Sequence, residues 1–318
     1  MAFLPELVLL LGALGLFVIS LGEARAQLAR RAAMGVALAV IGASAYSLGQ
    51  AYSLGQAVVL FDGAYRVDLF SQWLKLVFGL GYLLVLLVGG RLVDIREEVK
   101  PEYYLFLTLS VCGLTLLVSC VEMITLVIAL ELSSFPLYLM VPMRREREGQ
   151  RSQMESAIKY LMFGIAANGV MFFGMSYLFG LTGTTSLPIM FQKLQPIAQS
   201  PLAIAGLLMT FGGLYYKLAV FPFHFWTPDV YQGASNETVS LIASLPKLGA
   251  VAVLVRLVSL ASPANHTIAL VLAMLAGASM FYGNLIALAQ SDLKRLLGFS
   301  GIAHAGYALI GFVAMDQA

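Results

Sequence analysis

Apolar runs recur along the whole chain, and ten of them reach or approach the roughly 20 mostly apolar residues that a membrane-spanning helix needs. They cover residues 3–22, 32–53, 69–92, 103–121, 123–143, 154–181, 202–221, 238–261, 267–290 and 297–314. The first is read as a retained helix and not as a cleaved leader. Glu6 stands where a leader has basic residues, and the run is too long for a leader's apolar core. Between the second and third runs, AVVLFDGAYRVD flanks Asp62-Gly63 with apolar residues, the signal for a hairpin closed by a type I′ turn. The hairpin is expected on the outer surface. The duplicated AYSLGQ over residues 45–50 and 51–56 ends a helix and carries no assigned role. No Gly/Ser linker or long charge run divides the chain, so a single membrane domain is expected.

Composition sharpens this pattern. Hydrophobic residues make up 60% of the 318 and charged ones only 11%, so the surface must be solvated by lipid. Cys112 and Cys120 lie inside apolar runs with no CxxC or His nearby, which argues against a metal or redox site. Phosphate loops, nucleophile elbows and ligand clusters are missing too, and nothing suggests nucleic acid binding.

The net charge of +2 conceals an uneven distribution. With the N-terminus outside the cytoplasm, the inner loops hold Arg25, Arg30, Arg31, Arg96, Lys100, Arg144, Arg145, Arg147, Arg151, Lys294 and Arg295, and the outer loops only Arg66 and Lys193. Eleven against two satisfies the rule that basic residues stay on the cytoplasmic side. The loop over residues 223–237 has no Lys or Arg at all and is expected to be structured and packed on protein.

Charges deep in apolar runs are the candidate chemistry, because an ionised side chain at bilayer depth needs a partner, a wet cavity or a changed protonation state. Glu131, Lys217 and Lys247 lie too far from the loops to snorkel easily. Lys217 precedes Pro222 and Pro228, and Lys247 follows Pro246. The seventh helix is therefore expected to be interrupted near Lys217, as at transport sites, and Lys247 stands beside a helix-breaking signal expected to kink its helix. Lys75, Arg91 and Arg256 lie towards helix ends, where a structural salt bridge or snorkelling suffices. Glu155 and Lys159 stand one turn apart in the favourable order for an ion pair, and Lys159 could equally belong to a proton path. His304, with Ser300 and Tyr307 one turn to either side, is either a hydrogen-bonded core histidine or a titratable relay. His224 is left open in the same way, and His266, at a loop, is expected at the surface.

At these residues the chain resembles the antiporter-like membrane subunits of respiratory complex I, of the subunit N type. The resemblance is carried by ALELSSFPLYLM around Glu131, GGLYYKLAVFPFHFWTPDVYQGAS around Lys217, SLPKLGAVAVLVRL around Lys247 and GNLIALAQSDLKRLLGFSGIAHAGYALIG around His304. It extends through nearly the whole chain, FDGAYRVDLFSQ included. It implies an all-α polytopic membrane protein of about ten transmembrane helices, built on inverted five-helix repeats with a broken seventh helix. Residues 1–101 would form three N-terminal helices and the hairpin, 102–261 the first repeat, and 262–318 the first two helices of a second. Glu131 on the fifth helix would pair with Lys217 on the seventh, with Lys247 on the eighth and Lys159 as a basic position typical of the subunit N type. The second repeat of the family continues to a further basic residue on a broken twelfth helix, whereas this sequence stops at Ala318. The expectation is a partial chain; loss of the outward half-channel is the alternative.

The implied function is redox-driven proton translocation in NADH:quinone oxidoreductase. Glu131, Lys217, Lys247, Lys159 and His304 would move protons, and no cofactor would sit in this chain. NAD, FMN, iron–sulfur clusters and quinone would belong to partner membrane and peripheral subunits of a hetero-oligomer in the cell's inner (plasma) membrane. The same motifs permit a cation/proton antiporter or a membrane-bound hydrogenase subunit. A non-conducting scaffold, in which buried charges only fix packing, is the third reading.

Overall fold

The computed structural model describes residues 3–22, 25–145, 152–258 and 266–314. In chain order its helices are α1 (Leu4–Ser20), α2 (Ala26–Leu54), α3 (Leu69–Gly89), α4 (Lys100–Leu117), α5 (Met123–Met140), α6 (Ser152–Thr182), α7 (Leu187–Leu194), α8 (Pro201–Leu218), α9 (Thr227–Gly233), α10 (Asn236–Val258), α11 (His266–Leu288) and α12 (Leu293–Ala314). All ten expected helices form. Eight of them are long and apolar enough to cross a membrane; α1 is apolar but only 17 residues long, and α4 opens on Lys100 and Glu102. Arg147, Arg151 and the last residues of the expected 238–261 helix lie outside the described residues, as does the side chain of His266.

The chain divides into two compact units, Met1–Arg151 with Ala234–Gly249, and Ser152–Gly233 with Ala250–Ala318. In the first, α1 packs on α2 and α4, α2 on α3, and α4 on α5. Helix α1 buries Glu6, Leu9, Ala13 and Leu16 at helical spacing, while Leu7, Leu10, Leu11, Leu14 and Val18 stay exposed. An apolar outer face of this kind suits contact with lipid or with another protein surface. Helix α2 turns a stripe of small residues inward, Ala29, Ala33, Ala37 and Ser44 among them, which lets neighbouring backbones approach. Gly113 of α4 does so most tightly, since a side chain there would overlap the Ser133 backbone of α5.

The expected hairpin forms from β1 (Val58–Leu60) and β2 (Tyr65–Val67), paired antiparallel. Asp62 at φ 50° and Gly63 at φ 95°, with the Ala64 amide donating to the Phe61 carbonyl at 3.0 Å, have the form of a type I′ turn. The Arg66 amide donates to the Ser119 carbonyl at 2.8 Å and the Val121 amide to the Ala64 carbonyl at 3.0 Å, so the hairpin is stitched to the α4–α5 turn. Asp68 caps α3 in a reciprocal box with Ser71, and Glu122 caps α5 through the Thr125 amide at 2.7 Å.

In the second unit α6 packs on α8 and α9, and α12 on α11 and α9. Helix α7 lies in what the sequence marked only as a loop; it buries Leu187, Met190 and Leu194 along one side. Pro246, in the part of α10 that belongs to the first unit, does not end the helix, which stays helical from Asn236 to Val258. A proline interior to a helix removes one amide donor and crowds the carbonyl four residues back, here Ile242, but the surrounding turns hold the helix together.

Candidate functional site

Lys217 occupies the last turn of α8, and the helix ends one residue later. Ala219 adopts the left-handed conformation at φ 63°, its amide donates to the Tyr216 carbonyl at 3.0 Å, and the Val220 amide donates to the Tyr215 carbonyl at 2.9 Å. This is a Schellman termination. A non-glycine residue at its left-handed position costs about 1–2 kcal/mol. The break therefore precedes Pro222 and is not made by it; Pro228 lies in the first turn of α9, where a proline is tolerated.

The backbone released by the break is satisfied by protein. The Trp226 indole donates to the Tyr216 carbonyl at 3.0 Å, the Phe221 amide donates to Ser279 Oγ at 3.0 Å, and the Tyr216 hydroxyl donates to the Tyr160 carbonyl at 2.6 Å. Trp226 stacks on Tyr160 with ring centroids 4.7 Å apart, and the short α9 follows directly. His224, buried in the break, stacks against Phe221 and Phe225 and meets Tyr282 at a tilt, and neither of its ring nitrogens has a hydrogen-bond partner among the described residues. The expectation that residues 223–237 are structured on protein holds.

Asp229 of α9 is the centre of a polar cluster in this unit, and the sequence reading missed it. Lys159 Nζ of α6 lies 2.7 Å from Asp229 Oδ2 and 2.6 Å from Glu155 Oε1. Arg295 Nη1 of α12 lies 2.6 Å from Asp229 Oδ1 and donates to Gln232 Oε1 at 3.2 Å. Gln232 in turn donates to Asp292 Oδ2 at 3.3 Å, and Ser156 Oγ donates to the Asp229 carbonyl at 2.7 Å. Burial works to raise the Asp229 carboxyl, but the hydrogen bonds from Lys159 and Arg295 outweigh it and hold the group below its ordinary range. The Glu155–Lys159 pair forms as spacing predicted. Asp229 stands in the quoted motif TPDVYQ, in a loop devoid of Lys and Arg; an acid there is a signal that its cations come from other helices.

Glu131 is half-buried on α5, one turn ahead of Pro136. Beside it the hydroxyls of Ser133 and Ser134 both donate to the Leu130 carbonyl at 2.7 Å, and Ser110 donates to the Ser133 carbonyl at 2.8 Å. Lys247 is half-buried within α10. Glu131 and Lys247 belong to the first unit, whereas Lys217, Lys159 and His304 belong to the second. His304 lies on an exposed face of α12 together with Tyr307, whose hydroxyl accepts from Asn284 at 3.1 Å. Lys75 is wholly buried and pairs with Glu6 Oε1 at 2.8 Å, which selects the structural salt bridge over snorkelling. The Tyr65 hydroxyl accepts from Lys75 Nζ at 2.7 Å.

Comparison with known proteins agrees with this fold. A protein from Opitutus terrae named NADH-quinone oxidoreductase subunit N 2 is 67% identical over 316 residues, which take in 99% of this chain and 65% of that protein. The chain thus spans just under two thirds of the length of such curated relatives. A chain of the solved respiratory complex I from Thermus thermophilus with bound aureothin superposes with a TM-score of 0.80 at 30% identity, over 99% of this chain and 65% of that one. A chain of the Mrp complex from a Dietzia species shares the fold, with a TM-score of 0.83 at 18% identity over 98% of this chain and 59% of that one. The profile described as NADH:quinone oxidoreductase/Mrp antiporter, TM matches residues 120–318, the stretch that contains Glu131, the broken helix and Asp229, and the chain belongs to that family.

Proposed function

We propose that this chain is a proton-conducting membrane subunit of an NADH:quinone oxidoreductase, driven by redox chemistry in partner subunits. The observation that carries the reading is the termination of α8 one residue beyond Lys217, with the freed backbone satisfied by protein. An interrupted helix beside a basic side chain is the arrangement in which a charge can be held and released without exposing bare backbone to lipid. In this reading Glu131 stabilises the ammonium form of Lys217, and loosening of that pair by a neighbouring subunit sends the proton on towards Lys247. Lys159, held by Glu155 and Asp229, supplies protons to Lys217 from the inner side. His304 serves as a relay further along α12. The chain binds no cofactor; NAD, FMN, iron–sulfur clusters and quinone are held by partners. It spans the plasma membrane many times with its N-terminus outside.

The experiment is Lys217→Ala in the assembled complex, with quinone reduction and proton uptake by vesicles measured together. Loss of pumping at normal complex levels is expected; normal pumping would favour a scaffold instead. The family also includes Mrp antiporters. Mass spectrometry of co-purifying subunits distinguishes them, since a redox module is expected here and its absence would favour the antiporter.

A further inference from the structure

At one end of the first unit, the start of α2, the segment after α3 and the start of α4 enclose a cavity of about 500 Å³. Ala26, Gln27, Arg30, Arg31, Arg91, Glu97, Lys100 and Tyr104 line it, and only one of the five charged groups is acidic. Glu97 is already matched: its Oε1 lies 2.5 Å from Lys100 Nζ and 3.6 Å from Arg145 Nη2. Lys100 is buried and also donates to the Arg91 carbonyl at 2.8 Å, which fixes the floor of the cavity. Arg30, Arg31 and Arg91 have no acidic partner among the described residues. Tyr104, 3% exposed, lines the same space with a hydroxyl that makes no hydrogen bond among them. Ala26 and Gln27, the first residues of α2, are part of the lining, and no side chain caps that end of the helix, which adds the positive end of its dipole.

We propose that this cavity binds the phosphate headgroup of an anionic phospholipid at the inner surface of the membrane. Three arginines with forked donors, the Tyr104 hydroxyl and a helix N-terminus suit a phosphodiester, which takes paired hydrogen bonds from guanidinium. The neighbouring surface favours a lipid over a free anion. Leu28, next to Gln27, and Leu87 and Val88, just ahead of Arg91, are exposed at 46%, 52% and 75% and provide an apolar wall for acyl chains. Arg30, Arg31 and Lys100 belong to the loops that the charge distribution assigns to the cytoplasmic side, and Arg91 follows the end of α3 on the way into one of them; anionic headgroups and basic pockets between membrane helices complement one another there. The inference is independent of proton conduction.

The test uses the full chain in its complex, placed in nanodiscs of phosphatidylcholine doped with phosphatidylglycerol, with retained lipids counted by native mass spectrometry. Phosphatidylglycerol should be retained over phosphatidylcholine. Each of Arg30→Gln, Arg31→Gln and Arg91→Gln should weaken it about fivefold. Arg96→Gln, which removes the same charge from the same loop but does not line the cavity, should leave retention unchanged, and excess inorganic phosphate should not displace the lipid. Arg31→Gln alone, at an exposed position, tests the site if the other variants fold poorly. Equal retention of both lipids, insensitivity to the three variants, or displacement by inorganic phosphate would overturn the proposal. So would occupation of the cavity by an acidic segment of a co-purifying subunit.

Discussion

Breaking the Glu6–Lys75 pair should destabilise the protein, and removing both charges should restore it. Both side chains are fully buried, and Nζ and Oε1 are 2.8 Å apart. At that distance the attraction amounts to about 6 kcal/mol for an effective dielectric constant of about 20. The desolvation of two ions consumes most of it. A lone charge left in the same place keeps the desolvation cost and loses the attraction, so Lys75→Met or Glu6→Met should each cost about 3–5 kcal/mol. Lys75→Met also strips the Tyr65 hydroxyl of its donor. That phenol, outside the membrane spans, is kept well above its ordinary pKa first by burial and then by the Glu6 charge, so it remains protonated in either variant. The double variant Glu6→Met/Lys75→Met leaves no bare charge and should match the parent or exceed it. Thermal unfolding of the detergent-purified complex, followed by tryptophan fluorescence, reads all four forms, and pumping per folded complex should be unaltered in the double variant. Single variants as stable as the parent, or a double variant no better than the singles, would refute the reasoning.

Asp229→Asn should unlink α6 from α12; because the partners are partly exposed, the stability loss should be about 1 kcal/mol or less, while pumping falls. Since the Asp229 carboxyl titrates below its ordinary value, its contribution is complete above the unfolded-state pKa and is lost as pH falls through the lower folded value. The difference in unfolding midpoint between parent and Asp229→Asn should therefore stay flat at neutral and mildly acidic pH and close only under stronger acid. Lys247→Ala should abolish most pumping with the complex assembled, and vesicles that pump normally at normal protein levels would contradict its place in the path. A cysteine placed at Gln27 should be labelled from the cytoplasmic side; labelling only from outside would reverse the topology.

Much of this protein was determined by sequence alone, because lipid imposes strong rules. Span length and near-total exclusion of charge located all ten helices, Asp62-Gly63 marked its own turn because both positions need positive φ, and the spacing of Glu155 and Lys159 fixed a pair within one helix. Local chemistry was less reliable where packing competes with it. Prolines after Lys217 pointed to a real break, yet its cause is the left-handed Ala219, and Pro246, equally suggestive, leaves α10 intact. Whether a proline interrupts a helix depends on which neighbours satisfy or crowd the freed carbonyl, information held in other segments. Partners distant in sequence were decided only by the tertiary structure. Lys159 meets Asp229 across 70 positions, Arg295 meets the same carboxylate across 66, and Lys75 finds Glu6 on another helix. A charge in an apolar run announces that it needs a counter-charge, but the energy that selects the partner arises from burial and distance, which exist only once the helices have packed.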